Sequence, residues 1–279
     1  MENPLGKAYR NLPAIAREAA ASYRDAAPFS HIVFRDFFDP QYLEQVLAEF
    51  PDLEKQNSIH YADSLQRKRA GKGEAFFGPV TQEMMRFLNA EPFLRFLQVL
   101  TGIKETLVGD PYFLGGGQHE IKTGGLLKIH ADFNKHELFG LDRRVNVLIY
   151  LNKDWSPSFG GDFELWDRDM ERCVKKVPPI FNTVAIFSTT DFSYHGHPDP
   201  LACPPDRSRK SLALYYYSDG RPQDEIVDGQ EVHSTLFRAR RTHVEDSRAL
   251  RQSERERTTI GFKDFLPPVV GKLWRKYRQ

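Results

Sequence analysis

Leu126-Leu-Lys-Ile-His-Ala-Asp132 decides how the rest of the sequence is read. The apolar run is bounded before it by Gly124-Gly125 and after it by Phe133-Asn134, which predicts a strand over residues 126–131. Alternate residues of a strand share a face, so His130 and Asp132 project together. An imidazole and a carboxylate presented side by side supply two ligands for one metal ion. A second histidine arriving from elsewhere would complete a 2-His-1-carboxylate set, which fills three positions of an octahedral ion and leaves three open. His-x-Asp gains weight only with that distant histidine and an anion-binding group, and candidates for both lie further along the chain.

Outward from this strand, residues 106–218 alternate short β-prone runs with Gly, Asp, Asn and Pro. Strands are predicted at 106–113, 118–122, 126–131, 144–151, 162–167, 172–177, 183–188 and 210–218. Eight short strands with frequent turns point to a mainly β fold of the jelly-roll, cupin-like type, a double-stranded β-helix core with N-terminal helices. Before it, Leu12, Ile15, Ala19 and Tyr23 recur at helical spacing, predicting a helix over 11–27. His31-Ile-Val-Phe-Arg-Asp-Phe-Phe38 reads as a strand. Asp39-Pro40 opens a helix through Phe50 as N-cap and first helical residue. Residues 54–79 are polar and read as loop, with Arg67-Lys-Arg-Ala-Gly-Lys72 as a solvated basic run; a substrate-facing lid is the minority reading. Residues 81–100 read as two short helices broken at Glu91-Pro92. The expected organisation is thus a helical support region (1–105), the β core (106–218) and a charged extension packed on it (219–279). Within that extension, residues 266–277 have the pattern of a basic amphipathic helix, read as docked on its own domain in preference to a partner or membrane surface.

Length and composition restrict the possibilities further. The 279 residues can bury a sizeable core, and 40% hydrophobic with 28% charged residues is ordinary for a globular protein. A net charge of +1 gives no reason to expect nucleic acid as a partner. Two cysteines, Cys173 and Cys203, cannot form a disulfide framework, which suits a reducing compartment. With no apolar signal segment or membrane-length run, a cytoplasmic protein without a membrane partner is expected.

The third ligand is sought in Phe192-Ser-Tyr-His-Gly-His197, where either histidine could close the triad. His195 is favoured, because His197 precedes a Pro-rich loop and reads as a supporting residue. An iron site of this kind takes electrons from a co-substrate, usually 2-oxoglutarate, whose far carboxylate calls for a bidentate cation. In Arg209-Lys-Ser-Leu-Ala-Leu-Tyr215 the odd positions share one face. Arg209 would then point inward above the small Ser211 and Ala213, with Lys210 outward and Arg207 as the rival anchor.

The order Tyr112, His130-Ala-Asp132, Tyr150-Leu-Asn-Lys-Asp-Trp155, Gly160-Gly-Asp-Phe-Glu-Leu-Trp166, Phe187, Tyr194-His195-Gly and Arg209-Lys-Ser-Leu-Ala-Leu-Tyr-Tyr216 resembles the prolyl-4-hydroxylase type of Fe(II)/2-oxoglutarate dioxygenases. The resemblance covers roughly residues 106–218 and is weaker over the N-terminal helices. It implies His130, Asp132 and His195 as iron ligands, Arg209 on the distal carboxylate of 2-oxoglutarate, Tyr150 assisting there, and Tyr112 near the co-substrate. It further implies Fe(II), 2-oxoglutarate and O2, with ascorbate as a reductant, and hydroxylation of an unactivated C–H of a prolyl or other peptidyl or amino-acid group. The chain departs from the pattern between His195 and Arg209, where it is longer than the best-known members and carries Cys203-Pro-Pro. Two alternatives stand beside this reading: hydroxylation of a natural product or sugar, and a non-catalytic jelly-roll binding module. Either way the partner would be a peptide or small molecule.

Other features take plainer readings. Gly115-Gly-Gly and Gly124-Gly125 lack the helix and Lys-Ser/Thr of a phosphate loop and read as turns. Glu164 and Asp167 read as surface groups, Tyr215-Tyr-Tyr217 as core packing, and His119, His136 and His233 as non-ligands, having no partner at ligand spacing.

Overall fold

A computed structural model describes residues 3–227 and 232–258. In chain order its helices and strands are α1 (Leu12–Arg24), β1 (His31–Arg35), α2 (Pro40–Ala48), β2 (Ile59–Ala62), β3 (Arg67–Ala70), α3 (Pro79–Leu88) and α4 (Glu91–Thr101). There follow β4 (Val108–Gly109), β5 (Gly117–Lys122), β6 (Leu127–Ala131), β7 (Asp142–Tyr150), β8 (Phe163–Trp166), β9 (Cys173–Val177) and β10 (Thr183–Ser188). The last are β11 (His195–His197), β12 (Ser208–Ser218), β13 (Leu236–Phe237) and α5 (Val244–Thr258).

The strands form two antiparallel sheets facing each other. The larger runs β1-β10-β7-β12-β5-β3-β2, with β4 also paired to β12; the smaller runs β13-β6-β11-β8-β9. This is the mainly β jelly roll with accompanying helices that the strand pattern predicts. Strand alternation explains how the sheet serves two purposes. On β7, Val145, Val147 and Ile149 join the core beneath the N-terminal helices, while Asn146, Leu148 and Tyr150 line a cavity between the sheets. On β12, Leu212, Leu214 and Tyr216 pack towards the helices, whereas Arg209, Ser211 and Tyr215 face the cavity.

The helices begin where local chemistry allows. The Asn11 side chain accepts from the Ala14 N–H, and the Asp39 carboxylate accepts from the N–H groups of Gln41 and Tyr42 with Pro40 behind it. Pro92, expected as a break, instead sits in the first turn of α4, where its missing N–H costs nothing; the break falls at Asn89-Ala90. Gly102 ends α4 in the left-handed conformation.

Several expectations need correction. Residues 54–79 are not a loop. They carry the β2–β3 hairpin, whose β3 extends the large sheet beside β5. β2 (Ile-His-Tyr-Ala) and β3 (Arg-Lys-Arg-Ala) are four-residue strands with little apolar signal, so pairing of β3 with β5, and of β2 with β3, decides their conformation. Residues 106–113 yield only the two-residue β4, and the strand from His31 stops at Arg35. The β structure also extends beyond 106–218: β13 of the C-terminal extension pairs with β6. That extension is fastened by Asp246, which accepts from Lys128 Nζ and Arg240 Nε, each at 2.6 Å, and by Ser64 Oγ donating to the Ala249 carbonyl. The amphipathic pattern at 266–277 lies outside the described residues.

Candidate active site

β6 and β11 are neighbours in the small sheet, and their register sets His130 directly opposite His195. Gly196 permits this close pairing, since a Cβ there would lie 2.7 Å from the Leu127 carbonyl oxygen. The two imidazole centroids are 4.5 Å apart, and Asp132 follows the end of β6 beside them. His130 Nε2 lies 3.6 Å from Asp132 Oδ1, and His195 Nε2 lies 3.4 Å from Asp132 Oδ2. One donor atom from each of the three falls within a 4.8 Å group.

Each ring is oriented by its other nitrogen. His130 Nδ1–H donates to the Lys128 carbonyl and His195 Nδ1–H to the Ser193 carbonyl, both at 2.8 Å, leaving both Nε2 lone pairs turned to Asp132. Burial holds the His195 imidazole neutral, with its pKa lowered to about 4 against the attraction of Asp132. Burial alone would raise the Asp132 carboxyl, but the Arg143 charge and the two histidines outweigh it and hold the pKa well below the usual range. Two imidazole lone pairs and one carboxylate in this arrangement are the donor set an Fe(II) ion accepts. The residues therefore fit the metal.

Residues not singled out in the sequence keep the carboxylate in place. Asn146 Nδ2 donates to Asp132 Oδ2 at 2.8 Å, and Arg143 Nη2 lies 3.2 Å from the same oxygen. The Arg143 guanidinium is clamped over the Tyr215 ring at 3.4 Å and donates to Asn146 Oδ1. Asn146 was legible in principle, sharing a face with Tyr150 at period two. Arg143 was not. A register shift between Tyr216 and Tyr217 pairs Tyr217 with Arg143 and skips Arg144, which reverses the alternation there. Phe237 of the C-terminal extension lies 5.5 Å from the His130 ring, a contact that only tertiary pairing of β13 creates.

The cavity continues from the triad towards β12, enclosing about 70 Å³. Arg209 lies in it, donating from Nε to the Gly161 carbonyl at 2.8 Å and from Nη2 to the Tyr150 hydroxyl at 3.3 Å. Gly161 has φ +77°, and a Cβ there would meet Leu201 Cδ2 at 2.5 Å and Arg209 Cδ at 3.1 Å. A glycine is thus required where the chain approaches the guanidinium. Arg207 points elsewhere, donating to the Lys153 carbonyl, and Lys210 contacts Ser208 and Glu120 on the opposite face.

Tyr112 is not brought to the cavity. It is 56% exposed, with its ring tilted against Phe139 at 5.7 Å, because β4 is too short to carry residue 112 inward. Two other readings change, those of Lys68 and Glu164. His119 and His197 line the cavity without joining the triad, as a non-ligand and a supporting residue, whereas Lys68 of the supposed solvated run reaches the cavity from β3. Glu164 is buried, accepting from Trp166 Nε1 and paired with Lys176, rather than a surface group. His136 and His233 stand apart from the triad, against Asp110 and Asp191 respectively.

Comparison with known proteins identifies this arrangement. Residues 117–217 match the 2OG-Fe(II) oxygenase superfamily. Those residues form a 2OG-Fe(II) oxygenase domain. With that domain the protein is a dioxygenase enzyme, and the superfamily matched works with Fe(II), 2-oxoglutarate and O2. No curated protein sequence matches the chain significantly. Among solved structures, a prolyl-4-hydroxylase from Pseudomonas putida is 17% identical with a TM-score of 0.50, covering 73% of this chain and 100% of its own. A Trichoplax adhaerens prolyl hydroxylase, solved with a hypoxia-inducible-factor peptide, is 15% identical with a TM-score of 0.55, covering 76% and 92%. A 2OG-Fe(II) oxygenase-family oxidoreductase from Burkholderia pseudomallei is 16% identical with a TM-score of 0.50, covering 72% and 90%. At these identities the likeness is one of fold.

Proposed function

We propose that this oxygenase hydroxylates an unactivated aliphatic C–H of an amino-acid-like or prolyl substrate, with His130, Asp132 and His195 holding Fe(II). The observation that carries this reading is the cross-strand pair His130/His195 closed by Asp132, in one cavity with an inward Arg209. Bound there, Fe(II) would activate O2 with two electrons from the oxidative decarboxylation of 2-oxoglutarate to succinate and CO2, one oxygen atom going to succinate and the other into the C–H bond.

The protein's part is positioning and exclusion. Lys128 and Ser193 carbonyls fix the imidazole tautomers, and Asn146 with Arg143 fixes the Asp132 carboxylate. Arg209 and the Tyr150 hydroxyl receive the distal carboxylate of 2-oxoglutarate, and burial of Arg209 makes that charge-assisted contact strong. Phe163 and Phe187 pack edge-on to His195 and keep water from that side of the site. Ascorbate serves as reductant on family grounds, and the two free cysteines suit a reducing, cytoplasmic setting.

The prolyl reading draws on the named activities of the similar structures from Pseudomonas putida and Trichoplax adhaerens. The test is succinate formation by the Fe(II)-loaded protein from 2-oxoglutarate, with and without proline, N-acetylproline and proline-containing peptides. Succinate above the substrate-free level, with a product 16 Da heavier, is expected from at least one of them. An Fe(II)-loaded protein that turns over 2-oxoglutarate but adds oxygen to none of these would overturn the prolyl assignment.

A further inference from the structure

The site contains more positive charge than iron and 2-oxoglutarate use. Lys68, Arg143 and Arg209 line the cavity, and Asp132 is its one lining carboxylate. Iron brings two positive charges and 2-oxoglutarate two negative ones, so loading leaves that surplus unchanged. Arg143 is committed to Asp132, and Arg209 faces the proposed co-substrate anchor. The Lys68 ammonium has no hydrogen bond or ion pair among the described residues; it lies 5.0 Å from the Tyr61 ring and feels the Asp132 carboxylate, already shared with Arg143, only through space. His197 is 3% exposed in the same cavity, and its ring nitrogens have no side-chain partner among the described residues. Lys68 is half-buried, and an ammonium partly withdrawn from water without an acceptor gains when a ligand supplies one.

Lys68 is held in place by backbone pairing. Its strand pairs with β5 of the large sheet, while the chain just before it reaches the small sheet. Lys128 N–H donates to the Leu65 carbonyl and Arg67 N–H to the Leu126 carbonyl, both at 2.8 Å, and Gln66 bridges Leu127. The hairpin is therefore a strap tied to both sheets, and Tyr61 and Lys68, directly paired, share its inner face. Such a strap fixes where the Lys68 side chain enters the cavity.

We propose that Lys68 binds an anionic group, carboxylate or phosphate, carried by the substrate of this oxygenase. The assignment rests on the oxygenase reading above and narrows its substrate class to molecules that carry an anionic group beside the reacting C–H. Lys68 is here a specificity-determining residue, separate from the iron ligands and the Arg209 anchor.

The experiment uses the full chain, loaded anaerobically with Fe(II) and 2-oxoglutarate, with 2-oxoglutarate uptake measured first by calorimetry. [13C]Acetate and inorganic phosphate are then titrated separately, following the broadening of their NMR lines by the nearby paramagnetic iron. The wild-type protein should bind at least one of them. Lys68→Met should weaken that binding at least about tenfold, the loss of one charge-assisted contact, and Lys68→Arg should restore it. Both variants should take up 2-oxoglutarate with affinity near that of wild type. Preference for acetate identifies a carboxylate substrate and preference for phosphate a phosphorylated one. Should Lys68→Met not fold, Lys68→Gln makes the same comparison. A wild-type protein that binds neither anion overturns the proposal, as does a variant that binds them undiminished. Loss of 2-oxoglutarate in Lys68→Met also overturns it, by assigning Lys68 to the co-substrate. Failure of the oxygenase reading is distinct: the wild-type protein would not take up 2-oxoglutarate at all.

Discussion

Arg209→Ala should weaken 2-oxoglutarate binding about a hundredfold while leaving Fe(II) binding intact. Arg209 is only 6% exposed, and its guanidinium is oriented by the Gly161 carbonyl and the Tyr150 hydroxyl, so a carboxylate reaching it is desolvated. Truncating one partner of a buried, hydrogen-bonded charge pair costs about 2–5 kcal/mol. At about 1.4 kcal/mol per decade this is on the order of thirty- to several-thousand-fold. The Tyr150 hydroxyl remains as a donor in the variant, which favours the lower part of that range. The proposed iron ligands lie on β6, at its end and on β11, while Arg209 lies on β12 in the other sheet. Calorimetric titration of 2-oxoglutarate into the anaerobic Fe(II) protein measures the effect, and Fe(II) stoichiometry is the control. Arg207→Ala and Lys210→Ala should be nearly silent, since neither side chain lines the cavity. If Arg209→Ala binds within about threefold of wild type, or if Arg207→Ala is the damaging change, the strand register used here is wrong.

His195→Ala should abolish stoichiometric Fe(II) binding, whereas His197→Ala should retain it; the opposite result in metal analysis of the purified variants would reassign the ligand. Asn146→Ala frees Asp132 Oδ2 from its amide donor and should reduce Fe(II) affinity about ten- to a hundredfold by equilibrium titration; an unchanged affinity would show that Arg143 alone orients the carboxylate. Asp246→Ala leaves Lys128 and Arg240 facing each other without their shared acceptor, and should destabilise the protein by about 3–5 kcal/mol in denaturant unfolding. The His233–Asp191 pair gives a pH dependence. Burial opposes the imidazolium, but the Asp191 hydrogen bond and charge prevail and raise its pKa above 6.5. Its stabilisation is therefore full below the unfolded value and is lost as pH rises through the folded one. Amide protection of residues 232–237, corrected for intrinsic exchange, should fall over that interval, and His233→Gln should remove the dependence.

By itself the sequence determined most of the β core and the proposed chemical centre, because both rest on period-two alternation. His130 and Asp132 share a face by spacing alone, and alternation from Arg209 through Ser211 to Tyr215 puts these residues inward whatever the sheet's partners are. Helix starts at Asn11 and Asp39 were legible because capping is local chemistry. The tertiary structure decided what depends on pairing between distant segments. Only the register of β6 with β11 puts His195 rather than His197 opposite His130. Only the bulge that skips Arg144 turns Arg143 onto Asp132, and only pairing with β5 converts a polar basic run into a strand aiming Lys68 into the cavity. A short polar strand carries almost no pattern of its own. Its conformation comes from hydrogen bonds to a partner that the linear sequence does not name.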